Sequence, residues 1–379
     1  VEKTYLLTPG PTPVPPEVLL AMARPVIHHR SPAFRAITRE IREGLRYLFQ
    51  TEQEVLVFVS SGTGAMEAAV ANTLRPGERA LVIEAGKFGE RWTELCRTYG
   101  AVPERITPGW GRMCPASEVA TRLAAAPEIK AVFCQANETS TGVCAPLEEL
   151  GRVCGDHSAI LVVDAVSALG AMDIPTDRWG LDIVVSGSQK ALMLPPGLAF
   201  AALSQKAWRL VKGAERPAYY FSFPKALAAA EKDQGAFTSA VTLMYGLREV
   251  LRIIRTEGLE AVFARHRRLS AATKAAVAAL GLSLFARDNP SDCLTAVEAP
   301  AGIDSQEIVA RLRDGHGITI AGGQAQLKGK IFRISHMGYI SESDIILTVA
   351  ALEQVLRDLG HPAQLGSGVR AAQEVLLKP

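Results

Sequence analysis

Neither sign of charge dominates this chain. Its 41 Lys and Arg residues against 39 Asp and Glu leave a net +2, and no run of five like charges occurs. A nucleic-acid binder, or a protein steered to an acidic membrane, carries a clustered basic field, so neither partner is expected. No apolar segment reaches the ~20 residues of a membrane span. The N-terminus also lacks the basic and apolar regions of a secretory leader, and a cytoplasmic protein is expected. The six cysteines, Cys96, Cys114, Cys134, Cys144, Cys154 and Cys293, form no C-x-x-C pair and no zinc-like group with histidine. Reduced, mostly buried thiols and no metal site are therefore expected. His28-His29 is the one histidine pair, and adjacent side chains point apart on a helix or strand.

What the chain has in quantity is apolar sequence broken into short runs. With 48% hydrophobic and 21% charged residues over 379 positions, it has a globular composition and the length of two domains. Pro9, Pro11, Pro13, Pro15 and Pro16 keep the first sixteen residues out of helix and sheet interior, which predicts an extended arm. Ser31-Pro32 supplies an N-cap and an N1 proline. Phe34, Ile37, Ile41, Leu45 and Leu48 follow at spacings of three and four, so an amphipathic helix begins there.

From Glu54, apolar runs at 55–59, 80–83, 131–134, 160–163, 182–185 and 198–203 alternate with helical segments. Such runs predict a mostly parallel sheet covered on both faces, an α/β fold. The alternation lapses after about Pro217, giving way to long helical patterns at 241–256 and 259–280. Beyond them, 282–285, 294–297, 318–320 and 331–334 read as strands, and 305–314, 341–359 and 369–377 as helices. The expected organisation is an arm over residues 1–16, a large domain over 17–257 and a small α+β domain over 258–379, with the arm against the small domain.

Three stretches of the large domain carry chemistry. The run 55–59 enters Ser60-Ser61-Gly62-Thr63-Gly64, a strand, a glycine turn and a helix start. Free N–H groups and the positive end of the helix make that turn an anion site, with hydroxyls from Ser61 and Thr63; the plainer reading is a tight turn that needs glycine. Gly62-x-Gly64 with Glu84 also imitates part of a dinucleotide fingerprint, although Glu67 replaces the third glycine and a long helix precedes the turn. Asp164 directly follows the run 160–163, where a buried carboxylate must be paired or ligated unless it serves as a helix N-cap. Lys190 lies in Ser186-Gly187-Ser188-Gln189-Lys190-Ala191-Leu192, between a strand-like run and Leu194-Pro195-Pro196-Gly197. A lysine is ordinarily a solvated charge. Here it sits at a strand end, where open α/β sheets keep ligands, and adjacent parallel strands would bring it into one crevice with Asp164.

In spacing and context, Asp164-Ala165-Val166-Ser167 and the stretch from Ser186 to Leu192 resemble the class V aminotransferases that use pyridoxal 5'-phosphate (PLP). The likeness is greatest to the alanine–glyoxylate, serine–pyruvate and serine–glyoxylate enzymes. Thr8-Pro9-Gly10-Pro11-Thr12, Ser61-Gly62-Thr63, Phe88-Gly89-Glu90-Arg91, Glu138-Thr139-Ser140-Thr141-Gly142, Tyr245-Gly246-Leu247-Arg248-Glu249 and Phe332-Arg333-Ile334-Ser335-His336-Met337-Gly338 match in the same order. The resemblance implies a fold-type I PLP-dependent transferase with 17–257 as its PLP-binding domain.

It further implies that Lys190 holds the cofactor as a Schiff base and moves the substrate's α-proton, tasks that suit an amine whose pKa desolvation lowers. Asp164 would face the pyridine nitrogen. Ser61, Gly62, Thr63 and Gln189 would hold the phosphate, Phe88 would stack on the ring, and Thr139 would lie near its phenolic oxygen. Arg333 would clamp the substrate carboxylate through its planar fork, with Gly10 beside the substrate. Thr238 matches a threonine supplied by a second subunit, which implies a homodimer with shared active sites. Some members carry a phosphate-binding tyrosine three residues earlier, where this chain has Gly235; Tyr219, Tyr220 and Ser239 are the candidate replacements.

The activity implied is transamination between a small amino acid, alanine or serine, and glyoxylate or pyruvate. A 2-aminoethylphosphonate transaminase shares the architecture and stays open. Cysteine desulfurase is disfavoured, because Gln189 stands where that enzyme has a histidine and the segment 321–327 has no cysteine. From other classes, an NAD-dependent oxidoreductase built on Gly62 to Glu84 and a non-catalytic PLP-binding protein are the alternatives.

Overall fold

The computed structural model describes residues 3–213 and 218–378. The chain opens with β1 (Tyr5–Leu6), α1 (Pro16–Met22), α2 (Pro32–Phe49), β2 (Val55–Phe58), α3 (Gly62–Thr73), β3 (Arg79–Ile83), α4 (Lys87–Thr98) and β4 (Val102–Ile106). It continues through α5 (Ala116–Ala125), β5 (Ala131–Gln135), β6 (Asn137–Glu138), β7 (Val143–Cys144), α6 (Leu147–Gly155), β8 (Ile160–Asp164), β9 (Ile183–Gly187), β10 (Ala199–Leu203), α7 (Gln205–Lys212) and α8 (Phe223–Ala230). The last part comprises α9 (Val241–Glu257), α10 (Leu259–Ala279), β11 (Leu294–Glu298), α11 (Ser305–His316), β12 (Ile318–Thr319), β13 (Ala321–Gly322), β14 (Ile331–Ser335), α12 (Glu342–Asp358) and α13 (Ser367–Leu376).

Among the described residues the main sheet has seven strands in the order β2-β10-β9-β8-β5-β3-β4. All neighbours pair in parallel except β10, which runs antiparallel to both β9 and β2. Alternate strand residues enter two apolar cores. Val132, Leu161, Val163 and Val184 pack with α2 and α9, while Phe133, Val162, Ile183 and Val185 pack with α3 and α4. Burying each such side chain contributes roughly 1.5–3 kcal/mol. That pins β8 and β9 at the centre of the sheet and leaves the polar residues that follow them at its rim. The fold is the expected α/β arrangement, a mostly parallel sheet between helical layers.

Ser31 caps α2 as its sequence predicts: its hydroxyl accepts from Phe34 N at 3.2 Å, and Pro32 opens the helix. In the C-terminal part, β11, β14 and β13 form an antiparallel sheet whose core joins Val297 and Phe332 to Leu269, Ile308 and Leu352. The N-terminal arm lies on this part. Tyr5 pairs with Ile318 in parallel, Leu7 N donates to Thr319 O, and Ser335 N donates to Leu7 O, both at 2.8 Å.

Two expectations change. Residues 282–285 do not form a strand; Leu284 makes one isolated bridge to Val297, because the chain bends at Phe285, whose ring packs against Gly111. The strand expected at 318–320 is shortened to β12, and a second short strand, β13, follows it in a different sheet. The expected break near Pro217 falls outside the described residues. Among the described residues, no helix is long and apolar enough to cross a membrane.

Candidate active site

β8 ends on Asp164 and β9 on Gly187, and the two pair in parallel with Asp164 opposite Val185. Asp164 and the loop bearing Lys190 therefore leave the sheet at the same rim. Asp164 is buried, and its Oδ1 accepts from Val166 N at 2.8 Å. Burial pushes its carboxyl up to about 6, against the pull of that N–H; Glu138 adds to the rise, while Arg91 and Lys190 oppose it. Burial likewise pushes the Lys190 amine down to about 8, with Asp164 opposing and Arg333 and Arg91 assisting.

The N-terminal arm closes over this amine. Lys190 Nζ donates to Pro9 O. Thr12 fixes the loop from the same arm: its hydroxyl donates to Lys190 O at 2.6 Å and its N–H to Gln189 O at 3.2 Å. Gly10 has φ 121°, and a Cβ there would lie 2.6 Å from Lys190 Cδ and Cε. Only glycine permits both the conformation and the approach.

The glycine turn abuts the same loop. α3 begins at Gly62 after an extended Ser61, whose hydroxyl makes no cap hydrogen bond. A Cβ on Gly62 would sit 2.6 Å from Val166 Cγ2, and one on Gly187 would sit 3.2 Å from Gly62 Cα. The turn thus touches both the Asp164 loop and the end of β9. Gln189 Oε1 is buried beside it without a hydrogen-bond partner. Arg91 Nη1 donates to Thr63 Oγ1 at 3.1 Å, and its guanidinium lies 4.9 Å from the centre of the Phe88 ring.

Arg333 projects from β14 and is 5% exposed. Its Nε and Nη2 donate to Gly322 O at 3.1 and 2.7 Å, and Nη1 donates to Thr139 O at 2.8 Å. A guanidinium has about five N–H donors. One on Nη1 and one on Nη2 remain, the two terminal nitrogens through which a carboxylate can be held. Burial pushes the group down to about 10, with Glu138 opposing, so it stays charged at neutral pH. The Thr139 hydroxyl donates to Ser167 Oγ at 2.7 Å, which Asn137 Nδ2 also reaches, at 2.9 Å.

Lys190, Asp164, Gly10, Ser61, Gly62, Thr63, Gln189, Phe88, Thr139 and Arg333 thus belong to one connected set of contacts. Thr238 does not join them within its own chain. It is exposed, beside Tyr220 and Phe237 along the edge strand β2. Glu84, the acid of the dinucleotide-like pattern, accepts from the Thr93 hydroxyl and faces Arg105 Nη1 at 3.5 Å. Two residues without an assignment from sequence, Arg91 and Glu138, hold the set together. Arg91 was findable from its i+3 spacing to Phe88 at a helix start. Glu138 is 1% exposed and accepts from Phe88 N, Gly89 N, Ser140 N and Ser140 Oγ at 3.1, 2.9, 3.1 and 2.6 Å; burial pushes its carboxyl up.

Comparison with known proteins agrees with this arrangement. The family model described as aminotransferase class V matches residues 4–346. The chain is 45% identical to the small subunit of a soluble hydrogenase from Synechococcus sp. (strain PCC 6716), over 99% of both chains. It is 39% identical to a serine–glyoxylate aminotransferase from Hyphomicrobium methylovorum, over 99% of this chain and 95% of that one. The crystal structure of ureidoglycine–glyoxylate aminotransferase from Bacillus subtilis superposes with a TM-score of 0.95 at 32% identity, covering 100% of this chain and 99% of the other. The relatives carry names for different activities, and the family model that matches most of the chain agrees with the aminotransferases among them. The chain belongs to the class V aminotransferases and has their fold-type I architecture.

Proposed function

We propose that this protein catalyses PLP-dependent transamination between a small amino acid, alanine or serine, and a small 2-oxo acid, glyoxylate or pyruvate. The observation that carries the reading is the convergence of Lys190 and Asp164 at the ends of adjacent parallel strands, with the free fork of Arg333 completing the crevice. Glyoxylate recurs in the names of the aminotransferase relatives, which favours it as acceptor.

The residues present fit PLP. The helix N-terminus at Gly62 and the hydroxyls of Ser61 and Thr63 would hold its phosphate, with Gln189 adjacent. Asp164 would face its pyridine nitrogen, Phe88 would offer its ring a flat face, Thr139 would lie near its phenolic oxygen, and the Lys190 amine would take its aldehyde. When bound, PLP supplies a carbonyl that takes up amino groups and a ring that draws off the electrons left by a departing α-proton.

The protein's own groups do the rest. The Lys190 amine, with its pKa down at about 8, is partly neutral near physiological pH, so it attacks carbonyls and later carries the proton at the substrate Cα. Asp164 holds negative charge against the ring nitrogen. Arg333 binds the α-carboxylate of donor and acceptor alike through Nη1 and Nη2, and the arm at Pro9 and Gly10 shields the amine from water. Thr238 is exposed in its own chain, beside the edge strand β2, which supports a homodimer in which each copy completes its partner's phosphate site. A core of its own around Val297, Phe332 and Leu352 supports a second domain over 258–379, which carries Arg333, beside the domain 17–257 that carries Lys190; Val262, Phe263, Leu294 and Ile331 pack with the core of the latter. Six free, buried cysteines suit a reducing cytoplasm.

The test is direct. Purified protein mixed with PLP is expected to develop a near-visible absorbance band, and borohydride is expected to fix the cofactor onto the peptide containing Lys190. Alanine or serine should then bleach the band and glyoxylate restore it; a protein that stays colourless with PLP would refute the reading. Lys190→Ala should retain PLP binding without any borohydride-stable adduct.

A further inference from the structure

We propose that Glu138 is a positioning residue that sets the Phe88 ring and the Arg333 fork relative to each other, so that one buried side chain governs both the cofactor-facing and the carboxylate-binding halves of the crevice. This rests on the transaminase reading above.

The reasoning starts with a helix that has no cap of its own. α4 begins after Gly86, which has no side chain to meet the first N–H groups. They are met from outside: Lys87 N donates to Ser140 Oγ at 2.9 Å, Phe88 N to Glu138 Oε2 at 3.1 Å, and Gly89 N to the same oxygen at 2.9 Å. A Cβ on Gly86 would lie 2.6 Å from Glu138 Cγ and Cδ, so the carboxylate occupies the space a capping side chain would fill. A negative group is also favoured at the positive end of a helix. Phe88 is the second residue of this turn, and its backbone is therefore tied directly to Glu138.

The other oxygen shares Phe88 N at 3.3 Å and also turns to Ser140. Glu138 Oε1 accepts from Ser140 N at 3.1 Å and from Ser140 Oγ at 2.6 Å, which closes residues 138–140 into a turn. The carbonyl in the middle of that turn is Thr139 O, the acceptor for Arg333 Nη1 at 2.8 Å. Glu138 also favours the charged form of Arg333 across this short distance. The hub requires a group that only accepts. A glutamine of the same shape would turn an NH2 toward backbone N–H donors on one side or the other.

Glu138→Gln is the decisive variant, assayed as the full chain. Spectrophotometric titration with PLP reads cofactor affinity without turnover, and initial rates against alanine read the clamp. Expected are a KM for alanine raised about tenfold, PLP binding weakened about threefold, and kcat at saturating alanine within about threefold of wild type. Glu138→Asp should recover part of both losses. If the glutamine variant does not fold, Ser140→Ala removes one donor and one acceptor of the same hub, and should shift both constants in the same direction by less. Unchanged KM and cofactor affinity overturn the proposal, as does a fall in kcat at unchanged KM. A wild-type protein that binds PLP but turns over neither alanine nor serine sinks the transaminase reading instead, and the cofactor titration still tests the Phe88 half.

Discussion

Arg333→Lys keeps a positive charge on β14 and removes the planar fork, so it isolates geometry from charge. In the native protein three N–H groups anchor the guanidinium to Gly322 O and Thr139 O, leaving one N–H on each terminal nitrogen for substrate. An ammonium has three donors on one atom. Directed at those carbonyls it offers the substrate at most a single contact, and directed at the substrate it leaves both carbonyls unpaired. The expected loss is one charge-assisted hydrogen bond, about 1.5–3 kcal/mol, or a KM roughly 10- to 150-fold higher. The rise should appear for the amino donor and the oxo-acid acceptor alike, because both present an α-carboxylate. The clamp binds ground and transition states equally, so kcat should move little. Initial rates over a matrix of alanine and glyoxylate concentrations give both constants, while PLP titration should be unchanged, since Arg333 does not touch the glycine turn. A KM within twofold of wild type for either substrate would refute the clamp.

Capture of PLP by cofactor-free protein should accelerate as pH rises toward about 8 and level off above it, because the folded protein lowers the Lys190 pKa and only the neutral amine attacks. Stopped-flow absorbance measures this, and a midpoint near the ordinary lysine value would contradict it. In Asp164→Asn the anion that favours the charged amine is gone, so the same midpoint should move to lower pH even as the bound cofactor reacts more slowly with alanine. Gly10→Ala drives a methyl group into Lys190 at positive φ and should destabilise the protein by about 1–3 kcal/mol in urea melts while slowing PLP capture. Thr238→Ala should weaken PLP binding despite its distance from Lys190 in the same chain. Mixing it with Lys190→Ala protein should regenerate native sites, and no recovery after subunit exchange would argue against shared sites.

The elements that sequence located best are those whose burial is nearly complete. Ile160–Val163 and the run ending at Val185 are apolar on both faces, as central parallel strands must be. Asp164 and Lys190 were legible as a pair because each interrupts such a run at its end. β4 was not, since its Val-Pro-Glu-Arg-Ile sequence lies at the sheet edge with one neighbour and little burial. The antiparallel direction of β10 was equally hidden, because an all-buried strand reads the same in either sense. In the site, residue types suggested tasks, but the donors Arg333 has left over and the bonds Glu138 makes were not legible. Both depend on partners far away in sequence: Thr139 for Arg333, and the start of α4 for Glu138.

The docking of the arm has a consequence for biosynthesis. Pro9 and Gly10 cover Lys190, yet the residues that hold the arm in place, Gly317, Thr319 and Ser335, are made after the whole of the main sheet. Chains are synthesised from the N-terminus, and domains generally fold in that order. The sheet carrying Lys190 and Asp164 is complete once residue 203 has emerged, whereas its cover waits more than a hundred residues longer for an anchor. The nascent protein therefore passes through a stage in which the amine is in place and uncovered, and the arm, made before the sheet, finds its position after it.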